Sequence, residues 1–157
     1  MAIEIEKKFL IKYIPFKNIN YSEKIEQGYI VHDKNKVIRV RKKNKNYSIT
    51  IKGNKIGISR YEFEYQIPKK DAIILLKEFC NNSYISKTRH YVNYNDHTWE
   101  IDEFHKKNEG LVVAEIELRS ENESFDIPDW IREEVTHDPR YYNMNLTTFP
   151  FSKWDKK

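Results

Sequence analysis

The chain has 157 residues, of which 33% are charged and 14% aromatic, and this composition favours a folded protein over a disordered one. Its length favours a single domain covering residues 1–157, with a core that needs no disulfide. The formal charge of +4 suits an anionic ligand but does not demand nucleic acid. The lone Cys80 fits a reducing compartment, and no apolar stretch is long enough for a signal or a membrane span, so we expect a cytoplasmic protein.

Alternation of polar and apolar residues predicts that the chain is mainly β. Eight candidate strands lie near residues 3–10, 24–32, 36–43, 46–53, 60–67, 84–93, 97–104 and 112–119. Turn signals separate several of them, at Asp33-Lys34-Asn35, Lys43-Asn44-Lys45-Asn46, Asn95-Asp96 and Lys107-Asn108-Glu109-Gly110. Short connections predict that successive strands are antiparallel neighbours.

Helices are predicted at a few places between and after these strands. Residues 69–82, after Pro68, place Ala72, Leu75, Leu76 and Phe79 at helical spacing. A second helix is predicted to begin near Pro128 and to end at Asp138-Pro139. Single helical turns are expected within residues 14–19 and 140–146, and the lysines at 153, 156 and 157 are expected to form a solvated tail.

The strands carry ionisable residues on one face and apolar residues on the other. In the first strand Glu4, Glu6 and Lys8 share one face, opposite Ile3 and Ile5. The same division gives further charged faces with Arg39 and Arg41; Ser48, Thr50 and Lys52; Glu62, Glu64 and Gln66; Lys87, Arg89 and Tyr91; Glu100 and Asp102; Glu115, Glu117 and Arg119. Two acids beside a base suit a divalent metal bound next to a phosphate.

Seven charged faces on one curved sheet predict an inside-out barrel. If the apolar faces pack under helices, the charged faces look at one another across an interior. The predicted fold is therefore α+β and mainly β, an eight-stranded antiparallel β-barrel, or tunnel, with a charged interior and helices packed on its outside. The aromatic residues Tyr61, Phe63, Tyr65, Trp99 and Trp130 are expected to form core beneath those helices.

The charges of the predicted lining indicate the class of ligand. Buried charges are costly unless they pair or hold ions, so the lining implies a bound species. With every group ionised, the eight acids of these faces give the lining a net charge of −2, slightly repulsive for a polyphosphate alone, against six bases: Lys8, Arg39, Arg41, Lys52, Lys87 and Arg89. Two divalent cations would reverse the sign to roughly +2 and could bridge carboxylates and phosphate oxygens. The sequence thus predicts metal-dependent binding of a triphosphate.

Six motifs in this order resemble the triphosphate tunnel metalloenzymes, or CYTH domain proteins, and within them the small bacterial inorganic triphosphatases. They are Glu4-Ile5-Glu6-Lys7-Lys8, Arg39-Val40-Arg41, Lys52, Glu62-Phe63-Glu64, Lys87-Thr88-Arg89 and Glu115-Ile116-Glu117. The stretch from Glu134 to Tyr141 is also similar to the end of small bacterial members. The resemblance implies a tunnel that hydrolyses a triphosphate, most of all inorganic tripolyphosphate, with Mg²⁺ or Mn²⁺ and two ions as the expected number.

The resemblance also implies roles for individual residues. The expected phosphate-binding residues are Lys8, Arg39, Arg41, Lys52, Lys87 and Arg89, and the expected metal ligands are Glu4, Glu6, Asp102, Glu115 and Glu117. Glu62, Glu64 and Glu100 are expected to orient the basic side chains. The expected catalytic residues are Glu4 and Glu6 with their metal, and the pair Lys87 and Tyr29.

The sequence leaves several functions open beside inorganic triphosphatase. A class IV type adenylyl cyclase, a thiamine or nucleoside triphosphatase, and a non-catalytic polyphosphate- or RNA-binding module would carry a similar tunnel. The absence of a glycine-rich loop argues against P-loop and Rossmann nucleotide sites. A small-molecule triphosphate is the expected partner, nucleic acid and membranes are not expected, and a homodimer is the default oligomer.

Overall fold

The computed structural model describes residues 2–33 and 35–155. The described residues form nine strands and two α-helices: β1 (Ile3–Ile11), β2 (Tyr21–His32), β3 (Val37–Lys43), β4 (Asn46–Lys52), β5 (Ser59–Gln66), α1 (Lys69–Phe79), β6 (Tyr84–Tyr94), β7 (His97–Phe104), β8 (Val112–Glu117), β9 (Ile131–Glu134) and α2 (Asn143–Leu146). Short 3-10 turns lie at Phe16–Asn18, Lys106–Asn108, Pro139–Tyr141 and Phe151–Lys153. Lys34 of one predicted turn, and Lys156 and Lys157 of the predicted tail, lie outside the described residues.

The first eight strands close into an antiparallel barrel. Their spatial order is β5-β4-β3-β2-β6-β7-β8-β1, and β1 returns to β5. β1 makes this closure by pairing residues 3–5 with β5 and residues 6–10 with β8. The predicted eight-stranded barrel is therefore confirmed, and β9 is an additional strand that pairs with β1.

Tight turns explain the antiparallel order. Asn44 and Asn95 adopt positive φ angles of 54° and 52° between β3 and β4 and between β6 and β7. Asparagine tolerates this left-handed backbone, so the chain reverses within two residues there. Because the strands alternate in direction, the β2–β3, β4–β5 and β7–β8 connections share one end of the barrel.

Helix α1 packs on the outside of the barrel, as the sequence predicts, and ends at Phe79 rather than at residue 82. Its Ala72 is buried in a cluster with Val40 and Tyr47 of the barrel wall. Gly28 of β2 permits the close approach, since a Cβ atom there would stand 2.8 Å from Sγ of Cys80. Cys80 is a buried, free cysteine, so its side chain contributes to this packing.

The expectation that five aromatic residues form core under helices is only partly right. Trp99 and Trp130 are buried and pack edge to face at 5.6 Å. Tyr61, Phe63 and Tyr65 are instead exposed. Helix α1 contacts β2, β3 and β4, so the outer face of β5 stays uncovered.

The second predicted helix is wrong. Residues 131–134 form β9, in which Ile131 pairs with Ile11 and Glu134 pairs with Phe9 of β1. β5 leaves β1 after Ile5, so the rest of that edge of β1 needs another hydrogen-bonding partner. Trp130 and Ile131 still reach the core. Strand pairing has therefore overridden a helical spacing of apolar residues.

Candidate active site

The barrel encloses a cavity of about 700 Å³. Every residue that the sequence analysis assigned to a site lines this cavity, with the exception of Asp102. Those residues are Glu4, Glu6, Lys8, Tyr29, Arg39, Arg41, Lys52, Glu62, Glu64, Lys87, Arg89, Glu100, Glu115 and Glu117. Strand alternation thus brings together side chains that are up to 113 positions apart, from Glu4 to Glu117, in the chain.

Four carboxylates form one side of the tunnel, which we call the acidic wall: Glu4, Glu6, Glu115 and Glu117. They come from β1 and β8, which are direct neighbours. Glu6 lies opposite Glu117, and Lys8 lies opposite Glu115, in the antiparallel register. This register explains why the two separate Glu-x-Glu motifs act as one surface.

Two members of the acidic wall are neutralised by lysines. Nζ of Lys52 donates to Glu4 at 2.9 Å, and Nζ of Lys8 donates to Glu115 at 2.9 Å. Burial opposes ionisation of both carboxyls, but the adjacent cations outweigh it and hold each pKa well below its usual range. Glu4 and Glu115 are therefore ionised and already paired.

The other two members, Glu6 and Glu117, have no cation at comparable distance among the residues that the structure describes. Nζ of Lys8 approaches Glu6 only to 3.8 Å. Burial, reinforced by the charges of Glu115 and Glu4, raises the pKa of Glu6 to about 8. Burial and the neighbouring Glu100 and Glu4 also raise the pKa of Glu117. A divalent cation beside these two carboxyls would offset the repulsion that raises their pKa values.

Four cations form another side of the tunnel, which we call the basic wall: Arg39, Arg41, Lys87 and Arg89. Of the two strands that carry them, β3 lies across the barrel from β8, whereas β6 is separated from β8 by β7. Arg41 donates from Nε to Gln27 at 2.8 Å, and among the described residues no carboxylate lies within ion-pair distance of it. Burial and the nearby Arg39 and Arg89 lower its pKa.

Arg39 also has unused hydrogen-bonding capacity. Its Nη2 donates to Thr50 at 3.1 Å, but its Nε is buried and has no partner in the described part of the chain. The nearest carboxylate, Glu64, stands 3.7 Å from Nη2. Buried guanidinium donors without partners match a site for an anion with several oxygen atoms, such as a phosphate.

Asp102 lies beneath the basic wall rather than on the cavity surface. It is fully buried and accepts hydrogen bonds from Nε of Arg89 at 2.7 Å, Nη2 of Arg89 at 2.9 Å and Nζ of Lys87 at 2.7 Å. Glu100 accepts a further bond from Nη1 of Arg89 at 2.7 Å. These contacts favour an orienting role for Asp102 over direct contact with a metal ion.

Lys87 and Tyr29 do not touch each other but share a hydrogen-bonded chain. Nζ of Lys87 donates to Oδ1 of Asn143 at 2.8 Å, and Nε2 of Gln27 reaches the same oxygen at 3.5 Å. Nε2 of Gln27 also donates to Oη of Tyr29 at 2.7 Å. Burial lowers the pKa of Lys87 to about 7, against the attraction of Asp102. Gln27 and Asn143 therefore connect Lys87 to Tyr29, which is consistent with the hypothesis that the two residues act together.

The sequence analysis missed several lining residues. Arg60 contributes Nε at 3.4 Å from Glu4, and its even spacing with Glu62 and Glu64 could have identified it. Lys55 lies in the β4–β5 connection and Asn143 on α2, where no strand period applies. Their positions depend on the tertiary fold, so no local pattern marks them.

A ready-made metal cluster is not present in residues 2–33 and 35–155, since no group of three or more His, Cys, Asp or Glu side chains there is arranged to hold a metal ion. Mg²⁺ commonly takes only one or two carboxylates and completes its shell with water and substrate phosphates. Glu6 and Glu117 supply such a donor pair.

None of the helices in the described part of the chain has the length and apolar character of a membrane-spanning helix.

Fold and site together define a class of protein: a closed antiparallel barrel that encloses a tunnel with an acidic wall and a basic wall. The chain belongs to the CYTH domain family, whose model matches residues 2–142. Triphosphatases of this family generally depend on a divalent metal.

The chain is similar to proteins named inorganic triphosphatase. It is 46% identical over 154 residues to one from Acetivibrio thermocellus, covering 98% of this chain and 99% of that protein. It is 32% identical over 147 residues to one from Nitrosomonas europaea, covering 91% and 95%. The crystal structure of the inorganic triphosphatase NE1496 superposes with a TM-score of 0.67 at 30% identity, covering 94% of this chain and 95% of the other.

Proposed function

We propose that this protein hydrolyses a phosphoanhydride bond of a triphosphate, and that its substrate is inorganic tripolyphosphate, cleaved to pyrophosphate and phosphate. The observation that carries the proposal is the pair of walls, one with carboxyls of raised pKa and one with a buried guanidinium donor that has no partner among the described residues. The names of the relatives support the substrate. A single domain, a cytoplasmic location and a homodimer remain parts of the same expectation.

In this proposal the basic wall holds the phosphate oxygens. Arg39 and Arg41 offer planar forks that can meet two oxygens each, whereas Lys8, Lys52, Lys87 and Arg89 arrive already oriented by acids. Asp102, Glu62, Glu64 and Glu100 keep those cations in place before substrate enters. Charge that develops on the phosphates during cleavage is then met by fixed groups.

Glu6 and Glu117 would hold a divalent ion, Mg²⁺ or Mn²⁺, together with substrate oxygens, and Glu4 and Glu115 adjoin them. Such an ion supplies charge neutralisation and a lowered pKa for bound water. A second ion is part of the proposal because the lining carries further carboxylates. Lys87 and Tyr29 complete the proposed machinery on the basic wall, where Lys87 is held ready to donate a hydrogen bond to a phosphate oxygen.

Phosphate release from tripolyphosphate, ATP and thiamine triphosphate, each with Mg²⁺ or Mn²⁺, tests this function. We expect turnover to require metal and to be fastest with tripolyphosphate. Cyclic AMP formation from ATP would assign a cyclase instead. Binding of tripolyphosphate without turnover under any of these conditions would contradict an enzyme and leave a binding module.

A further inference from the structure

One lysine of the cavity lies outside the barrel strands. Lys55 belongs to the β4–β5 connection, and its Nζ lies 4.4 Å from the ring centroid of Tyr142. Tyr142 follows the 3-10 turn Pro139–Tyr141 and directly precedes α2. Both residues line the cavity. A loop and the C-terminal segment thus meet at the end of the tunnel, and they place an ammonium group there.

This ammonium differs from the other cavity lysines in its partners. Nζ of Lys8, Lys52 and Lys87 stands 2.9, 2.9 and 2.7 Å from a carboxylate. In the described part of the chain Lys55 has no carboxylate within ion-pair distance, and its recorded contact is with the aromatic ring. Its charge is therefore available to a ligand, whereas the charges of the three other lysines are largely balanced.

The surroundings of Lys55 also favour an anion. Burial, followed by repulsion from Lys8 and Arg60, lowers its pKa to about 8, so it is largely protonated at neutral pH. An anionic group placed among these three cations would relieve their mutual repulsion. Lys55 lies in the β4–β5 connection at one end of the barrel, whereas the basic-wall residues lie within β3 and β6.

We propose that Lys55, steadied by the ring of Tyr142, binds the terminal phosphoryl group of a three-phosphate chain and thereby makes the tunnel selective for triphosphate over pyrophosphate. This inference rests on the proposed function. In this binding mode two phosphoryl groups contact Arg39 and Arg41, and the third contacts Lys55 in the β4–β5 connection. Pyrophosphate, which is shorter, occupies the basic wall without that contact.

The test compares tripolyphosphate with pyrophosphate in Lys55→Ala, Lys55→Arg, Tyr142→Leu and Tyr142→Phe. Calorimetry measures the affinity for both anions with Mg²⁺, and phosphate release gives KM and kcat for tripolyphosphate. We expect Lys55→Ala to weaken tripolyphosphate binding about tenfold, the loss of one charge-assisted hydrogen bond, and to leave pyrophosphate binding unchanged. KM should rise with little change in kcat, because the contact is made equally before and during cleavage.

The other variants separate the effect of the Lys55 charge from the effect of its contact with the Tyr142 ring. Lys55→Arg should retain most of the selectivity, Tyr142→Phe should keep all of it, and Tyr142→Leu should lose part of it. Lys45→Ala in the exposed β3–β4 turn removes the same charge at the surface and should change nothing. Thermal melting verifies that each variant is folded.

Two results would overturn the inference: an equal loss for both anions, which indicates only a general electrostatic effect, or no loss for either. A parent protein that neither binds nor hydrolyses tripolyphosphate would instead contradict the proposed function. The two failures are therefore distinguishable.

Discussion

The acidic and basic walls of the tunnel each contain two groups with a strong ion-pair partner and two groups without one among the described residues. They differ in the sign of the groups that lack such a partner. On the acidic wall Glu4 and Glu115 are neutralised by lysines, while the pKa values of Glu6 and Glu117 are raised by burial and by neighbouring carboxylates. On the basic wall Lys87 and Arg89 are neutralised by Asp102, while neither Arg41 nor Nε of Arg39 has an anionic partner within residues 2–33 and 35–155. Each wall is thus half satisfied, and the unsatisfied halves have opposite signs.

This difference teaches what the tunnel can bind. A stable protein with no ligand would gain by pairing all of these groups, because unpaired buried charges cost several kcal/mol each. The chain instead keeps excess cationic donors on β3 and excess carboxyls on β1 and β8. A metal ion on one wall and a phosphate chain on the other satisfy both halves together.

Removing the carboxyls of the acidic wall should have the largest effect. Glu6→Gln or Glu117→Gln keeps the shape but removes an ionised metal ligand, so kcat for tripolyphosphate should fall by about 100-fold or more. Steady-state phosphate release over a Mn²⁺ titration measures this loss. Glu78→Gln, on the exposed face of α1, is the matched control and should retain full activity. Unaltered turnover in both tunnel variants would contradict the metal assignment.

Breaking the basic wall should have the next largest effect. Arg41→Ala removes the guanidinium that has no carboxylate partner, so tripolyphosphate affinity should fall by about 30-fold. Arg41→Lys restores charge without the planar fork and should recover only part of the loss. Calorimetric titration with tripolyphosphate measures both. Full recovery by lysine would show that charge alone matters, and no loss with alanine would remove Arg41 from the site.

Removing the ionisable carboxyl of Glu6 should increase the free energy of unfolding of the metal-free protein at high pH. Since the folded-state pKa of Glu6 is raised from 4.5 to about 8, the folded chain keeps a proton that the unfolded chain releases between these values. The contribution of Glu6 to stability therefore falls as pH rises through this window. Glu6→Gln lacks this penalty and should stabilise the metal-free protein by on the order of 2 kcal/mol near pH 9, and by little near pH 4.

Urea unfolding of the parent and of Glu6→Gln, at both pH values and with a chelator present, checks this difference. A variant that is equally stable at every pH, or less stable at the higher one, would show that Glu6 is not a strained carboxyl. Loss of activity together with a gain of stability is the signature of a functional group.

The smallest effect is expected where the C-terminal segment supports the basic wall. Asn143→Leu removes the oxygen that accepts from Lys87 and neighbours Gln27, so kcat should fall by about fivefold with a smaller change in KM. Asn143→Asp keeps an acceptor oxygen and should recover part of kcat. Equal kcat values for parent and Asn143→Leu would show that Lys87 is held by Asp102 alone.

Much of the barrel and its lining could be predicted because both follow a period of two. Alternation with apolar residues predicts the polar face in each case: Glu6 follows Ile5, Glu117 follows Ile116, and Val40 separates Arg39 from Arg41. β9 could not be predicted, because Trp130 and Ile131 fit a helix equally well and only the free edge of β1 decides. The prediction that Tyr61 and Phe63 are buried is wrong, because the sequence does not indicate which strands α1 covers.

The site was harder to predict where it depends on partners rather than on faces. Asp102 alternates correctly with Ile101, but its role depends on the reach of Arg89 and Lys87 across neighbouring strands. Lys55 and Asn143 belong to connections, whose course is set by tertiary packing. Periodicity therefore identifies the residues of the two walls, whereas the tertiary structure determines which of their charges have an ion-pair partner.

Diffraction from crystals soaked with Mn²⁺ and tripolyphosphate tests the central claim most directly, because manganese scatters anomalously and the phosphate chain is visible beside it. The account predicts a manganese peak coordinated by Glu6 and Glu117, with phosphate oxygens on Arg39 and Arg41. Manganese bound away from these carboxyls, or a phosphate chain lying outside the barrel, would contradict it.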